Sequence, residues 1–552
     1  MRKLTSTILT LALGITLLAP NQAHACSDLI VGPKASTDGS IIISYAADSH
    51  TLYGELYHWP AATWQPGTLL DVTEWDSGQY SGKIAQVGRT YNVVGNINEH
   101  QVAITESTWG GCEQVIGTEG LMDYGSLIYI ALQRSKTARE AIDVITGLVD
   151  QYGYKSTGES FTIADKNEVW IMEMAGKGVG ETGAVWVAIR IPDDCISGHA
   201  NQARIQQIPF DDKENCLYSP DVVDFAREKG LYEGSDEDFS FQKAYNPYDF
   251  GGLRGCEARV WAFFNRFADG MEKYLPLVMG YEMDAEPMPL YIKPNRKLSV
   301  ADVQNMMRDH YEGTPMDMTQ DIGAGPFKVP YRWRPMNFTV DGQEYINERA
   351  IATQQTGFVL VAQLRKDLPD YAGGVLWFGT DDANTTVFTP VYCCATEVPW
   401  CYSEDNGSLV DFSYTSAFWM QNWVANMAYA KYNHMIEDIR PVQQELEGGY
   451  FRAQPLVERY AMELAEVEGE EAAVAFLTRY SSNVANAMTA RWKQLAEYLL
   501  VKYIDGNVKK EKDGKFVVEN GLVVSPNWPG YSEEYYRQIH EGGYEHLKVP
   551  KE

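Results

Sequence analysis

Cys26 follows Ala23-His24-Ala25, an Ala-x-Ala pattern that suits signal peptidase, and precedes Ser27-Asp28-Leu29-Ile30-Val31, a run with the character of a β-strand. Cutting after Ala25 makes the mature chain begin inside a strand, with a thiol and a free α-amino group on the same first residue. That residue is a nucleophile carrying its own base. The leader fits the reading: Arg2 and Lys3 give a basic start, and the apolar stretch from Ile8 to Ala19 is shorter than the ~20 residues a bilayer span needs. A lipoprotein site, in which the thiol is acylated and the amine blocked, is the rival. It calls for Leu or a similar residue at the third position before the cysteine, where this chain has Ala23.

The 75 acidic residues against 46 Lys and Arg give a formal charge of −29, and losing Arg2 and Lys3 with the leader takes it to about −31. Nucleic acid is thereby disfavoured as a partner, and the charge reads as solubility outside the cytoplasm. No later stretch approaches membrane-spanning length, since the apolar run from Phe418 to Ala430 is broken by Gln421, Asn422 and Asn426. The mature protein is expected to be exported, periplasmic or extracellular, with no membrane contact once the leader is gone. Beyond Cys26 there are seven further cysteines, so at least one stays unpaired. Cys195 with Cys216, or one of Cys393 and Cys394 with Cys401, are the candidate bridges.

Along the chain, Leu29-Ile30-Val31 and Ser40-Ile41-Ile42-Ile43 flank a polar turn through Ser36 to Gly39, which predicts a hairpin. Further strands are expected at Val102–Thr105, at Phe161–Ala164 paired with Val169–Met172, and at Val185–Ile189, followed much later by Gly357–Leu364, Val375–Phe378 and Thr386–Tyr392. The Thr137 to Glu140 spacing opens a helix that runs to Gly153, and a cap-like Ser299 to Asp302 spacing opens another from Val300 to His310. From about residue 414 to 503 the pattern is helical, with Trp419, Trp423, Met427 and Ala430 as candidate core positions on one face. No internal repeat or low-complexity linker divides the chain, so residues 26–552 read as one large α+β unit with a helical C-terminal part.

An ordinary thiol titrates near about 8.5 and an α-amino group near about 7.7–8.0. On one residue the two divide the labour: the thiolate attacks a carbonyl carbon, and the amine takes the proton and later returns it to the departing nitrogen. Before cleavage that nitrogen is an amide without a basic lone pair. A carboxylate near the amine and an amide for the oxyanion are the natural helpers. Asp48 stands at the end of the strand that pairs with the nucleophile strand. The nine His residues show no His-Glu-x-x-His spacing and the cysteines no Cys-x-x-Cys pair, so neither a zinc peptidase pattern nor a cofactor motif is present. Cys256 has no base near it in sequence and reads as structural.

The run Val31-Gly32-Pro33-Lys34-Ala35-Ser36-Thr37-Asp38-Gly39-Ser40 after Cys26 resembles the start of the cysteine dipeptidases related to dipeptidase A, within the N-terminal nucleophile hydrolases. Asn98-Glu99-His100-Gln101-Val102-Ala103-Ile104-Thr105-Glu106-Ser107, Arg308-Asp309-His310-Tyr311-Glu312-Gly313-Thr314-Pro315 and Pro330-Tyr331-Arg332-Trp333-Arg334-Pro335 resemble segments of the same family, so the likeness extends over most of the mature chain. The resemblance implies an αββα sandwich, two antiparallel sheets between helical layers, and metal-independent cleavage of short peptides, chiefly dipeptides. It also implies site roles by motif position: Asp48 near the amine, Asn201 for the oxyanion and Arg259 completing the site. One departure is Tyr45, where the related penicillin and bile-salt amidases carry an Arg three residues before the Asp; this favours a peptidase over an amidase. Dipeptide selectivity needs an acidic reader of the substrate's amine, for which Glu106 and Asp48 are the candidates. The resulting expectation is an exported thiol dipeptidase with a small peptide substrate and no cofactor. An amidase acting on N-acyl amino acids, bile salts or penicillins, or a lipid-anchored peptide-binding protein, are the alternatives.

Overall fold

Every residue of the strand Ile41–Asp48 is buried, because both faces of its sheet are covered. In the computed structural model, which describes residues 26–524 and 526–549, this strand lies near the centre of a seven-stranded sheet. The order is Tyr291–Ile292, Ile196–His199, Asp28–Val31, Ile41–Asp48, Thr356–Leu364, Gly374–Thr380 and Thr389–Tyr392. Every neighbouring pair is antiparallel. A second sheet of eight strands, also antiparallel throughout, runs Cys216–Tyr218, Ala184–Arg190, Val169–Gly176, Gly158–Ala164, Ala103–Trp109, Ile97–Asn98, Val93–Val94 and His58–Trp59. The expected leader, residues 1–25, lies outside the described residues.

The period-two alternation of strands sorts side chains between cores. Ile30, Ile41, Ile43, Tyr45 and Ala47 of the first sheet share one core with Ala103, Val169, Ile171, Val185 and Val187 of the second. Their neighbours Leu29, Val31, Ile42 and Ala46 face away, onto a core built with the helices Ala258–Phe267 and Val300–Met306. On the far side of the second sheet, Ile104, Phe161, Ile163, Trp170 and Met172 pack with helices Tyr124–Arg134 and Ala138–Tyr152. The molecule is thus a mixed α and β structure whose two antiparallel sheets share a core.

The hairpin forms as expected, with Ile30 opposite Ile43 and Val31 opposite Ile42. So does the second, with Phe161 opposite Met172. At the helix starts, Ser299 and Asp302 make a full capping box. Thr137 accepts the Glu140 N–H, whereas the Glu140 carboxylate turns back to the Lys136 N–H instead.

Several expectations are corrected. The helix after Ser299 stops at Met306, because Asp309 folds its carboxylate onto the Tyr311 N–H and Tyr311 takes a left-handed backbone, φ 63°. The last strand of the first sheet begins at Thr389, since Thr385 and Thr386 donate their N–H groups back to the Asp382 carbonyl in a turn. The C-terminal helical region is three helices, Ala417–Ala430, Tyr432–Glu468 and Glu470–Tyr503, separated at Lys431 and Gly469. In the first of these the buried residues are Ala417, Phe418, Met420, Gln421, Val424, Ala425 and Ala428; Trp419, Trp423 and Met427 flank them half-buried and Ala430 is exposed. Neither candidate disulfide forms, and all eight cysteines are free. Cys195 donates to the Asp194 carboxylate and Cys393 to the Asp370 carbonyl, while the adjacent Cys393 and Cys394 point into different cores.

Ile43 is fully buried between the two sheets, so Ile43→Ala is expected to lower unfolding stability by about 2–5 kcal/mol. Denaturant titration of the variant checks this, and a loss under about 1 kcal/mol would contradict the shared core.

Candidate active site

The nucleophile strand enters its sheet through a bridge between Ser27 and Ala46, one residue after Cys26. Cys26 is 2% exposed, and its sulfur lines a cleft of about 620 Å³, open mouth included. Tyr45, Ala47 and Asp48 from the neighbouring strand form one side of the cleft with Phe358. Glu106 enters from the strand Ala103–Trp109, whose pairing with Ile97–Asn98 ends at Ala103, so that its edge borders the cleft. The outer part is walled by Tyr57, Trp59, Trp75, Tyr124 and Tyr129, with Asp76 among the lining residues.

The thiol donates to Glu106 Oε1 at 3.4 Å and lies 3.8 Å from the Tyr45 hydroxyl, which itself donates to the same carboxylate oxygen. Burial pushes the thiol well above its ordinary value, and the negative charges of Glu106, Asp48 and Asp28 push it further; a hydrogen bond from the Asp48 backbone works the other way. In the intact chain, therefore, the sulfur is held protonated. Glu106 is paired with Glu159: the two carboxyls are hydrogen-bonded to each other and Thr108 Oγ1 donates to Glu159 at 2.9 Å. Burial raises both carboxyls above the ordinary value, Glu159 the further because Glu106's charge opposes its ionisation, while hydrogen bonds from Glu159, Tyr45 and Cys26 favour the charged form of Glu106, so the proton the pair shares is placed on Glu159.

Asp48 ends the hairpin strand, as its sequence position suggests. Its Oδ2 pairs with the Arg349 guanidinium and its Oδ1 accepts from Thr356 Oγ1 at 2.6 Å. Burial raises its carboxyl above the ordinary value, against the pull of Arg349, Thr356 and Arg259.

Arg259 follows a π-helical turn, Gly252–Glu257, at the start of the helix Ala258–Phe267. Its guanidinium is buried and makes five hydrogen bonds: Nη1 to the Cys26 carbonyl at 2.5 Å and Ser27 Oγ at 2.8 Å, Nη2 to the Ala200 carbonyl at 3.1 Å and Asn201 Oδ1 at 2.9 Å, and Nε to the Gly255 carbonyl at 2.8 Å. Arg259 thus holds the Cys26 backbone and Asn201 holds Arg259, both outside the cleft lining. Asn201 adopts a left-handed backbone, φ 59°, a conformation Asn tolerates. Its Nδ2 donates to the Thr108 carbonyl at 2.6 Å, and its N–H to Ser107 Oγ at 3.1 Å. Ser107 lies 2.6 Å from His199 Nδ1, and Thr162 Oγ1 lies 2.8 Å from Nε2. Burial holds His199 down to about 3, so it is a neutral ring that fixes the Asn201 loop.

All four residues singled out from the sequence, Cys26, Asp48, Asn201 and Arg259, are therefore brought together. Tyr45, noted only as a departure from the amidase pattern, is a contact of the Cys26 thiol, and Glu106, a candidate reader of the substrate's amine, accepts from that thiol. Arg349 was missed. Its link to the site runs through the Arg308–Pro315 segment, where the Tyr311 hydroxyl donates to the Arg349 carbonyl at 2.6 Å. Cys256 lies in the turn before Arg259 and does not line the cleft.

Residues 54–445 match the family model described as peptidase family C69, a span that begins after Cys26 and Asp48. Among similar curated proteins, a probable dipeptidase of Latilactobacillus sakei is 26% identical over 84% of this chain and 92% of that protein. A probable dipeptidase of Salmonella dublin is 25% identical over 69% of this chain and 84% of its own length. Dipeptidase A of Lactobacillus helveticus is 24% identical, covering 74% and 82%.

Removing the partner of a buried ion leaves an uncompensated charge. Arg349→Ala is accordingly expected to destabilise the fold by about 3–5 kcal/mol, and Arg349→Ala combined with Asp48→Asn to recover a large part of that loss. A double-mutant cycle in urea measures it; additive losses would show that the pair is not coupled.

Proposed function

The chain belongs to peptidase family C69, and we propose that it is an exported, metal-independent cysteine dipeptidase built on an N-terminal nucleophile αββα sandwich, processed after Ala25 so that Cys26 becomes its first residue. The observation that carries the reading is the placement of the Cys26 sulfur on a cleft while its own carbonyl is clamped from behind by Arg259. A nucleophile held by its backbone keeps its side chain and its nitrogen in register with the substrate. The dipeptidase names of the relatives over most of the chain support the substrate class.

In this mechanism the Cys26 amine takes the thiol proton and the sulfur bonds to the scissile carbonyl carbon. The Asp48 backbone N–H, already directed at the sulfur, meets the developing oxyanion. The Cys26 ammonium then passes its proton to the departing nitrogen as the C–N bond breaks, leaving a thioester. Water, deprotonated by the amine, attacks that thioester and returns the thiol. The carboxylates Glu106, Asp48 and Asp28, which hold the thiol protonated in the intact chain, favour the new ammonium once it exists. Asn201 positions Arg259 through its Oδ1 and gives one of its two side-chain N–H groups to the Thr108 carbonyl.

The secreted protein is expected to show an intact mass that begins at an unmodified Cys26 and to hydrolyse dipeptides, with Cys26→Ala losing at least about 10³-fold in kcat and chelators leaving the rate unchanged. Turnover that survives in the folded Cys26→Ala protein, or a lipid mass on residue 26, would remove the proposal.

A further inference from the structure

Glu106 is buried to 1% exposure, yet among the described residues no ion pair includes it. Asp48 by contrast has Arg349. The cleft that Glu106 lines has no Lys, Arg or His among its lining residues, while it carries two further carboxylates, Asp48 and Asp76, the latter held by the Tyr124 hydroxyl at 2.7 Å. Tyr124 lines the same cleft as Glu106 and Asp76. An ionised carboxylate kept out of water without a cation is costly, by several kcal/mol even after relaxation. Such a site recovers that cost when a ligand brings the cation.

The position specifies which cation. In an unblocked dipeptide the ammonium nitrogen is two bonds from the scissile carbonyl carbon, about 2.5 Å away, and that carbon approaches the sulfur to about 3–3.5 Å before attack. A carboxylate oxygen 3.4 Å from the sulfur is within reach of that ammonium. Glu106 accepts from Tyr45 and the thiol on Oε1, from Glu159, and over a long 3.5 Å contact from Thr108 Oγ1, but a carboxylate has about four acceptor sites, and the thiol's site is released once the sulfur gives up its proton. The remainder of the substrate's first residue then faces the aromatic wall. There Trp59 and Tyr129 stack at 4.9 Å and Tyr57 meets Trp75 edge-on at 4.9 Å, a surface suited to an apolar side chain and to the flank of a cation.

We infer that Glu106 is the residue that selects the substrate: its carboxylate receives the free α-ammonium of the first residue of an unblocked dipeptide, whose side chain lies against Tyr57, Trp59, Trp75 and Tyr129. This rests on the dipeptidase reading above and adds the group that enforces it. N-acyl substrates lack the ammonium and place an amide against a buried anion, so they are rejected.

The test uses the secreted Cys26→Ala protein, which keeps its own α-amine but cannot turn substrate over. Isothermal titration compares Phe-Gly with 3-phenylpropionyl-glycine, the same shape with hydrogen in place of the ammonium. Phe-Gly is expected to bind about 10- to 150-fold more tightly, the range of a hydrogen bond to a charged group. Adding Glu106→Gln, which keeps the volume and an acceptor for Tyr45, is expected to bring the two ligands to within about threefold, and Glu106→Asp to an intermediate ratio, with cooperative thermal melts confirming that the variants fold. Equal binding of the two ligands to the Cys26→Ala protein, as would follow if the chain's own ammonium occupied Glu106, overturns the inference. So does discrimination that persists in both Glu106 variants. Since binding is read without turnover, these outcomes are separate from loss of the dipeptidase reading, which is decided by hydrolysis in the unsubstituted enzyme.

Discussion

The guanidinium of Arg259 is the interaction on which the site depends. A buried cation is tolerable only when its donors are all met, and here the five hydrogen bonds go to three carbonyls, one hydroxyl and one amide oxygen, with no carboxylate in contact. The neutral partners fix its geometry, and its charge acts at longer range on Asp28 and Asp48, lowering both against the effect of burial. One side chain therefore ties the start of the nucleophile strand, the Asn201 loop and the π-helical turn, and tempers an otherwise acidic interior. Its own helix can deliver it only because the extra residue of the π turn resets the helical register just before it.

Around that clamp the balance of charge explains why the intact chain and a processed one would behave differently. Cys26 is surrounded by Glu106, Asp48 and Asp28, each of which opposes a thiolate. Glu159 adds no charge while it holds its proton. Were the chain processed as proposed, a positive charge on the Cys26 nitrogen would be adjacent to the sulfur, and cleavage at that one bond would turn an environment hostile to the thiolate into one that supports it. The charges that suppress reactivity before cleavage would then favour the ammonium from a distance, without Glu106 having to bind it.

Much of this arrangement is legible in the residues because it is local. The hairpin from Leu29 to Ile43 follows from apolar runs around a polar turn, and Asp48 follows from where that strand must end. Asn201 and Arg259 were reached only through motif likeness; nothing in their own neighbourhoods distinguishes them from surface residues. Arg349 was not reached at all, since its partner Asp48 is 301 residues away and pairing at that distance leaves no periodicity to read. Glu106 reads from the sequence only as a candidate acid on a strand, and what puts it on the cleft is where the ladder to Ile97–Asn98 stops, a tertiary fact. The helical stretch from 414 to 503 was read correctly in kind, but its breaks at Lys431 and Gly469 were not. The aromatic stripe of Trp419 and Trp423 misdirected the choice of buried face because small residues, Ala417, Ala425 and Ala428, take the closest packing positions.

The wall of the cleft shows the same dependence on contacts that sequence does not announce. Trp75 lies directly on Gly125 of the helix Tyr124–Arg134, where a Cβ would come within 2.3 Å of the indole Cγ. The turn that carries Trp75 is closed by Glu74, whose carbonyl accepts the Gly78 N–H at 2.8 Å and whose carboxylate accepts the Ser77 N–H at 3.0 Å, with Gly78 in a left-handed backbone at φ 65°. Asp76 sits in that turn and is held to the helix by Tyr124, the residue next to Gly125. The indole and the outer carboxylate are therefore set by one contact: the missing side chain at Gly125 lets the turn dock on the helix, and docking brings Asp76 to the phenol. The apolar and the acidic parts of the cleft are positioned together, and a shift in one displaces the other.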